Sequence, residues 1–268
     1  MANRLEYKYL VSSELLNPIR TDILPYVEVD PFAQKRYAKE YIVRSVYCDT
    51  PRFDCYWEKI EGLKVRKKFR IRGYDHPEKN SVVFLEIKSK YENFITKSRA
   101  PLLWEHLQNV LAAHDLDKYI ISFSGNGEEK IDARRFLYNY YRRTLRPTVL
   151  IIYEREAFFS KFNPSLRLSF DKNLRSTLFP SMDMLYREEQ VKLAMRKYFI
   201  LEVKFYTGLP AWVQSIIKRY QLSRMALSKY TICLDSHQTP GKFSRRDLPL
   251  LSQFQFVPET PKVEYCHV

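Results

Sequence analysis

Residues 64–74 read KVRKKFRIRGY. Lys64, Arg66, Lys68, Arg70 and Arg72 recur at period two, Val65, Phe69 and Ile71 take alternate positions, and Lys67 is the one break. That is the pattern of a β-strand with one apolar and one cationic face. Same-face neighbours on a strand stand roughly 7 Å apart, and at an effective dielectric near 20 each such pair repels by about 2 kcal/mol. Four successive pairs approach the ~5–15 kcal/mol that holds a whole domain together. A fold carrying this strand must leave its cationic edge in water or place carboxylates and anions opposite it.

The charge of the whole chain points the same way. Its 268 residues include 45 Lys and Arg against 31 Asp and Glu, a net charge of +14. Such an excess predicts an anionic partner: nucleic acid, nucleotide, polyphosphate or a membrane surface. The 45% hydrophobic content, with 20 Tyr and 17 Phe, describes a globular chain of one large domain or two small ones. Six glycines and the absence of G-x-x-x-x-G-K or G-x-G-x-x-G argue against a phosphate-cradling loop, so phosphate would be held by side chains. Cys48, Cys55, Cys233 and Cys266 form no C-x-x-C. With no signal peptide they read as free thiols of a reducing, cytoplasmic compartment. The five His are scattered, and no apolar run reaches transmembrane length.

In chain order, alternation predicts strands over 4–10, 41–51, 64–74, 82–90, 146–159, 166–171 and 199–206. Helical spacing predicts helices over 14–26, 101–113, 128–143 and 183–196, one opening at Pro210, and a last piece capped by Ser223 and running through residues 228–230. The domain is read as residues 1–235, followed by a Pro-rich, polar tail over 236–268. The strands share a property: their polar faces are Arg, Lys and Glu almost without Ser, Thr, Asn or Gln. There is also a weak internal echo, in which Arg70-x-Arg72 and Leu85-Glu86-Ile87-Lys88 recur as Arg167-x-Ser169 and Leu201-Glu202-Val203-Lys204. One α+β geometry accommodates both observations. About eight antiparallel strands close into a β-barrel tunnel, charged faces inward and helices packed on the outside. A lumen of mixed charge is tolerable empty and favourable around phosphate.

The runs Tyr41-x-Val43-Arg44-Ser45-x-Tyr47-x-Asp49-Thr50, Tyr56-x-Glu58-Lys59-x-x-Gly62-x-x-x-Arg66-Lys67-Lys68-x-Arg70-Ile71-Arg72-x-Tyr74 and Leu85-Glu86-Ile87-Lys88-x-Lys90 together resemble the VTC-type polyphosphate polymerase domain of the CYTH/triphosphate tunnel metalloenzyme superfamily. The resemblance continues through Tyr153-x-Arg155, Arg167, Leu201-Glu202-x-Lys204 and Ser228-Lys229-Tyr230, covering about residues 4–235. One departure is Arg4, which stands where the superfamily's first strand opens with Glu in an E-x-E-x-K pattern. The resemblance implies a transferase that adds the γ-phosphoryl group of ATP to a growing inorganic polyphosphate chain, with Mn²⁺ or Mg²⁺ as cofactor. Arg70, Arg72, Arg155 and Arg167 are then expected to clamp phosphate oxygens, because guanidinium forks bind them bidentately. Lys8, Lys88, Lys204 and Lys229 are expected as point charges, Tyr153, Ser228 and Lys90 as substrate contacts, and Glu202 as the metal carboxylate.

Two other readings stand beside this one. A hydrolase of the same fold would cleave tripolyphosphate, a nucleoside triphosphate or thiamine triphosphate with water, and a second metal carboxylate would favour it. A non-catalytic polyanion binder is the other. Nucleic acid is not expected, because Phe69 and Ile71 fall opposite the cations rather than among them. Regulation or translocation would need partner proteins at a membrane.

Overall fold

The cationic run is a strand, flanked on both sides by others. In the computed structural model, residues 4–240 are described except 93, 114, 124, 126 and 207. The expected tail lies outside the described residues from 241 onward. The first half of the chain contains β1 (Leu5–Ser12), α1 (Leu16–Ile23), β2 (Val27–Val29), α2 (Pro31–Gln34), β3 (Tyr41–Asp49), α3 (Asp54–Ile60), β4 (Val65–Tyr74), β5 (Val82–Tyr91) and β6 (Phe94–Leu103). Then come α4 (Leu107–Leu111), α5 (Leu116–Tyr119), α6 (Glu128–Arg142), β7 (Arg146–Ser160), β8 (Arg167–Leu178), β9 (Lys192–Leu193), β10 (Tyr198–Phe205), α7 (Ala211–Arg219) and α8 (Lys229–Ser236).

The strands make one antiparallel sheet in the order β1-β10-β8-β7-β3-β4-β5-β6, with β2 added on β7 and β9 on β8. The expected closed barrel is corrected here: the sheet is curled but open, and among the described residues its edge strands β1 and β6 do not pair. Other chain takes the seam. Tyr9 bridges Arg224, and the Met225 N–H donates to the Lys8 carbonyl at 2.8 Å. On the far edge Leu102 bridges Ile120, and the Ile121 N–H donates to the Pro101 carbonyl at 2.9 Å. The curl is still tight enough for Lys88 of β5 to reach Glu6 of β1 at 3.3 Å.

The convex face is the apolar one. Phe69, Ile71, Leu85, Ile87 and Leu102 are buried with Leu107 and Val110 of α4 and Phe136 and Leu137 of α6. Ile19 and Ile23 of α1 and Val213 and Ile216 of α7 pack in a second cluster with Val11, Leu168, Leu201 and Val203. Each such side chain contributes about 1.5–3 kcal/mol by leaving water. The charged face turns inward along the curl. At the β3–β7 end the buried Asp49 accepts from the Cys55 and Tyr56 N–H groups at 2.9 and 3.1 Å, fixing the start of α3.

Three local expectations need correction. Residues 101–103 end a strand instead of opening a helix. Pro101 is tolerated because β6 is an edge strand, where a missing N–H costs no ladder bond. The helix expected over 183–196 is a single turn, Met182–Tyr186, followed by extended chain. Glu188 is drawn out by the buried Arg44 at 2.6 Å and by Arg175 at 2.9 Å, a tertiary demand that overrides local propensity. The last helix is capped by Ser228, not Ser223; its hydroxyl accepts from the Thr231 N–H.

Candidate functional site

The concave face encloses a cavity of about 510 Å³. Twelve Lys and Arg side chains line it against two carboxylates, Glu6 and Glu202. Strand register explains the gathering: Arg70 of β4 faces Glu86 of β5 and Tyr47 of β3, while Lys8 of β1 faces Glu202 of β10. Of the expected site residues, Lys8, Arg70, Arg72, Lys88, Lys90, Tyr153, Arg155, Glu202, Lys204, Ser228 and Lys229 all line this cavity. Arg167 does not. It starts β8, and its guanidinium donates to Asp30 at 2.8 Å and lies 4.2 Å over the Phe159 ring. Tyr153 lies at a β-bulge between β7 and β8, where the register shifts between Ile152 and Glu154, and bulges re-aim side chains toward sites.

Two charge clusters frame the cavity. Around Glu202, its carboxylate meets Lys229 at 2.9 Å, Lys204 at 3.0 Å, Arg155 at 3.4 Å and Lys8 at 3.6 Å. Beside it Arg155 grips Asp171 through two bonds of 2.6 and 2.7 Å, and Lys229 also reaches Asp171. Burial pushes Glu202 up, but the four cations hold it well below the usual carboxylate range. Around Glu86, Arg70 and Lys97 close to 2.7 and 2.6 Å, with Arg99 at 3.1 Å and Arg72 at 3.9 Å. Arg70 also donates to the Tyr47 hydroxyl at 2.7 Å. Its guanidinium is thereby fixed before any ligand arrives.

Lys68 differs from these. Its ammonium donates to Ser228 Oγ at 2.5 Å and lies 5.7 Å from the Tyr230 ring, with no carboxylate within salt-bridge distance among the described residues. Burial, with Lys8, Lys88, Lys59 and Arg66 around it, drives its pKa well below the ordinary lysine value. Burial likewise lowers Lys88 to about 8 despite Glu6. Lys8 and Lys229, beside Glu202, are pushed up instead, so the shortage of negative charge falls on the side of the cavity that holds Lys68 and Lys88. Sequence reasoning put Lys68 on the cationic face without singling it out, and it missed Asp171. Pairing with Arg155 across β7–β8 is visible only once register is known.

The fit to a divalent cation rests on donor oxygens. Both oxygens of Glu202 already bind ammonium or guanidinium groups. Among the described residues no group of three or more His, Cys, Asp or Glu side chains is placed to hold a metal ion. This donor set does not make a resident metal site by itself. Hard cations such as Mg²⁺ commonly combine one or two carboxylates with substrate phosphates instead.

A second, adjoining cavity of about 460 Å³ lies beyond Arg72 on the same concave face. Among the described residues no helix is long and apolar enough to cross a membrane.

The VTC domain family matches residues 3–237. The chain is 24% identical over 251 residues to vacuolar transporter chaperone complex subunit 4 of Schizosaccharomyces pombe, an alignment covering 80% of this chain and 34% of that protein. The chain thus spans about a third of the length of that relative. Among solved structures, the PH1819 protein of Pyrococcus horikoshii OT3 aligns over 87% of this chain and 98% of its own, at 13% identity and a TM-score of 0.44. With the family match running over nearly the whole described chain, this protein belongs to the VTC domain family.

Proposed function

We propose that the protein is a polyphosphate polymerase that moves the γ-phosphoryl group of ATP onto the end of an inorganic polyphosphate chain lying in the cation-lined cavity. The observation that carries this reading is the imbalance of twelve cations against two carboxylates lining one cavity, with Lys68 half-buried among them and no carboxylate within salt-bridge distance of it among the described residues. A linear polyanion supplies what the site is missing. Transfer of this kind asks the protein for positioning and charge neutralisation more than for covalent chemistry. A terminal phosphate oxygen of the acceptor chain forms a bond to the γ-phosphorus, and the bond from that phosphorus to the bridging oxygen of ADP breaks. The products are ADP and a chain one phosphate longer, and no proton need be removed from the nucleophile.

That last point favours transfer over hydrolysis. Water must lose a proton to attack. The cavity's carboxylates, Glu6 and Glu202, are both held below the usual carboxylate range by neighbouring lysines that outweigh burial, which makes them poor bases. In this reading Arg70, Arg72 and Arg155 clamp phosphate oxygens. Lys8, Lys88, Lys204 and Lys229 neutralise the developing charge, and Tyr153, Ser228 and Lys90 contact the chain. Arg167, engaged by Asp30, stays outside the clamp. Mn²⁺ or Mg²⁺ would enter with the nucleotide phosphates, and Glu202 is the carboxylate that would help to hold it. The relative's name, a subunit of a vacuolar transporter chaperone complex, supports partner proteins for this chain; a cytoplasmic position at a membrane through those partners completes the proposal.

The test is a single incubation of purified protein with ATP and Mn²⁺, analysed on a polyphosphate-staining gel and by a free-phosphate assay. Long chains with ADP and little free phosphate are expected. Free phosphate without chains would make the protein a triphosphatase, and neither product would make it a binder.

A further inference from the structure

The concave face changes character beyond Arg72. The second cavity has an aromatic wall of Phe32, Tyr41, Tyr74 and Phe84, and its carboxylates Asp30, Asp75 and Glu78 outnumber its guanidinium groups, Arg36 and Arg99. Register places it against the first cavity: Phe84 is directly opposite Arg72, and Tyr41 directly opposite Arg155. Side chains so paired stand about 5 Å apart at Cβ. The rings meet edge to face, Tyr41 with Tyr74 at 5.9 Å and Tyr74 with Phe84 at 6.1 Å. Arg99 lies 3.4 Å over the Phe84 ring and Arg36 lies 3.9 Å over the Phe32 ring, so flat guanidinium and aromatic surfaces line the space together.

A polyphosphate chain gains little there, because both guanidinium groups are already engaged, Arg36 by Asp75 at 2.7 Å and Arg99 by Glu86 at 3.1 Å. A fitting occupant is planar, uncharged and carries hydrogen-bond donors, and it joins a phosphate at the Arg72 and Arg155 end. A nucleobase meets each condition, since bases stack on aromatic faces and on guanidinium planes alike. We propose that this cavity is the nucleoside subsite for a nucleoside triphosphate whose phosphates lie in the cationic cavity; the inference rests on reading that cavity as a triphosphate site. It also gives the reaction a direction. The base sits at Phe84, the triphosphate runs from Arg72 and Arg155 toward Lys8 and Lys229, and the growing chain lies beyond, among Lys59, Arg66, Lys68 and Lys90.

The experiment is equilibrium binding without turnover. ATP and tripolyphosphate are titrated separately into the wild-type protein, Phe84→Ala and Phe32→Ala. The ATP dissociation constant is expected to rise on the order of tenfold in Phe84→Ala, the range of base–aromatic stacking, with tripolyphosphate affinity unchanged. Phe32 is 41% exposed, so Phe32→Ala carries the test should Phe84→Ala fail to fold. ATP affinity unmoved in both variants, or ATP and tripolyphosphate weakening together, would overturn the subsite. An ATP-specific loss in a protein that makes no polymer would keep the subsite and remove the polymerase reading. Polymer made by a protein whose variants bind ATP normally would do the reverse.

Discussion

Glu202→Gln separates the two jobs of the central carboxylate, because it removes charge while keeping shape. Glu202 is 5% exposed and bridges Lys229, Lys204, Arg155 and Lys8. Removing one partner from a buried ionic cluster costs about 3–5 kcal/mol, because the remaining charges stay buried without compensation. For a domain of this size each kcal/mol moves the melting temperature by about 2–4 °C, so the ligand-free variant should melt ~6–20 °C lower. Ligand should act in the opposite sense. Four cations freed from Glu202 have more to gain from phosphate, so tripolyphosphate should bind the variant at least as tightly as the wild type. At a hundredfold excess over its dissociation constant it should return about 2.7 kcal/mol. Differential scanning fluorimetry with and without tripolyphosphate reads both effects, and a polymerisation assay beside it is expected to show Mn²⁺-dependent turnover lost. An unchanged ligand-free melting temperature, or lost tripolyphosphate binding, would refute the view of Glu202 as the counter-charge of an anion site.

Three further outcomes follow from the same electrostatics. Lys68→Met removes a half-buried cation that no carboxylate balances among the described residues, so ligand-free stability should hold or rise in urea titrations while tripolyphosphate affinity falls by about tenfold or more. Burial lowers Lys88 to about 8, below the ordinary lysine value of 10.5. Through Lys88 the folded protein binds fewer protons than the unfolded chain from about pH 8, so ligand-free stability should rise with pH until about pH 9, where the buried Cys48, Cys55 and Cys233 thiols, pushed up from 9.0, act in the opposite sense. Phosphate restores the lysine charge, so binding should take up protons and weaken as pH passes 8; calorimetry in buffers of different ionisation enthalpy measures the uptake. Asp49→Ala orphans the Thr50 and Cys55 N–H groups and the Tyr230 hydroxyl, while the Tyr56 N–H keeps its bond to the Phe53 carbonyl, at a cost of about 3 kcal/mol. Its urea midpoint should fall, and tripolyphosphate binding with it, since Tyr230 stacks at 5.2 Å on the Tyr47 that holds Arg70.

Period-two alternation made the sheet readable. The run over 64–74 is a strand whose charged face turns inward, and strands at both ends of the chain alternate in the same way. Closure was not readable, because it depends on what fills the seam between edge strands, and a bridge from Tyr9 to Arg224 has no local signature. Strand β6 escaped notice because residues 94–103 alternate poorly and contain Pro101, which only an edge position tolerates. The cavity's cations could be named from the strand pattern and the family resemblance together. Arg167 could not be told apart from Arg155, since both stand on inward-facing strand positions and differ only in whether Asp30 or Asp171 is within reach. Lys68 was hidden for the opposite reason: among the described residues no carboxylate faces it, and sequence spacing does not encode what fails to face a residue.

The measurement that bears most directly on the account is a calorimetric titration of the protein with tripolyphosphate, pyrophosphate and orthophosphate at pH 7. A cavity lined by twelve cations and fed by chain length predicts one site per protein, with affinity climbing at each added phosphate and falling as salt is raised. Equal affinity for all three anions, or no heat with tripolyphosphate at millimolar concentration, would contradict a site built for a linear polyphosphate.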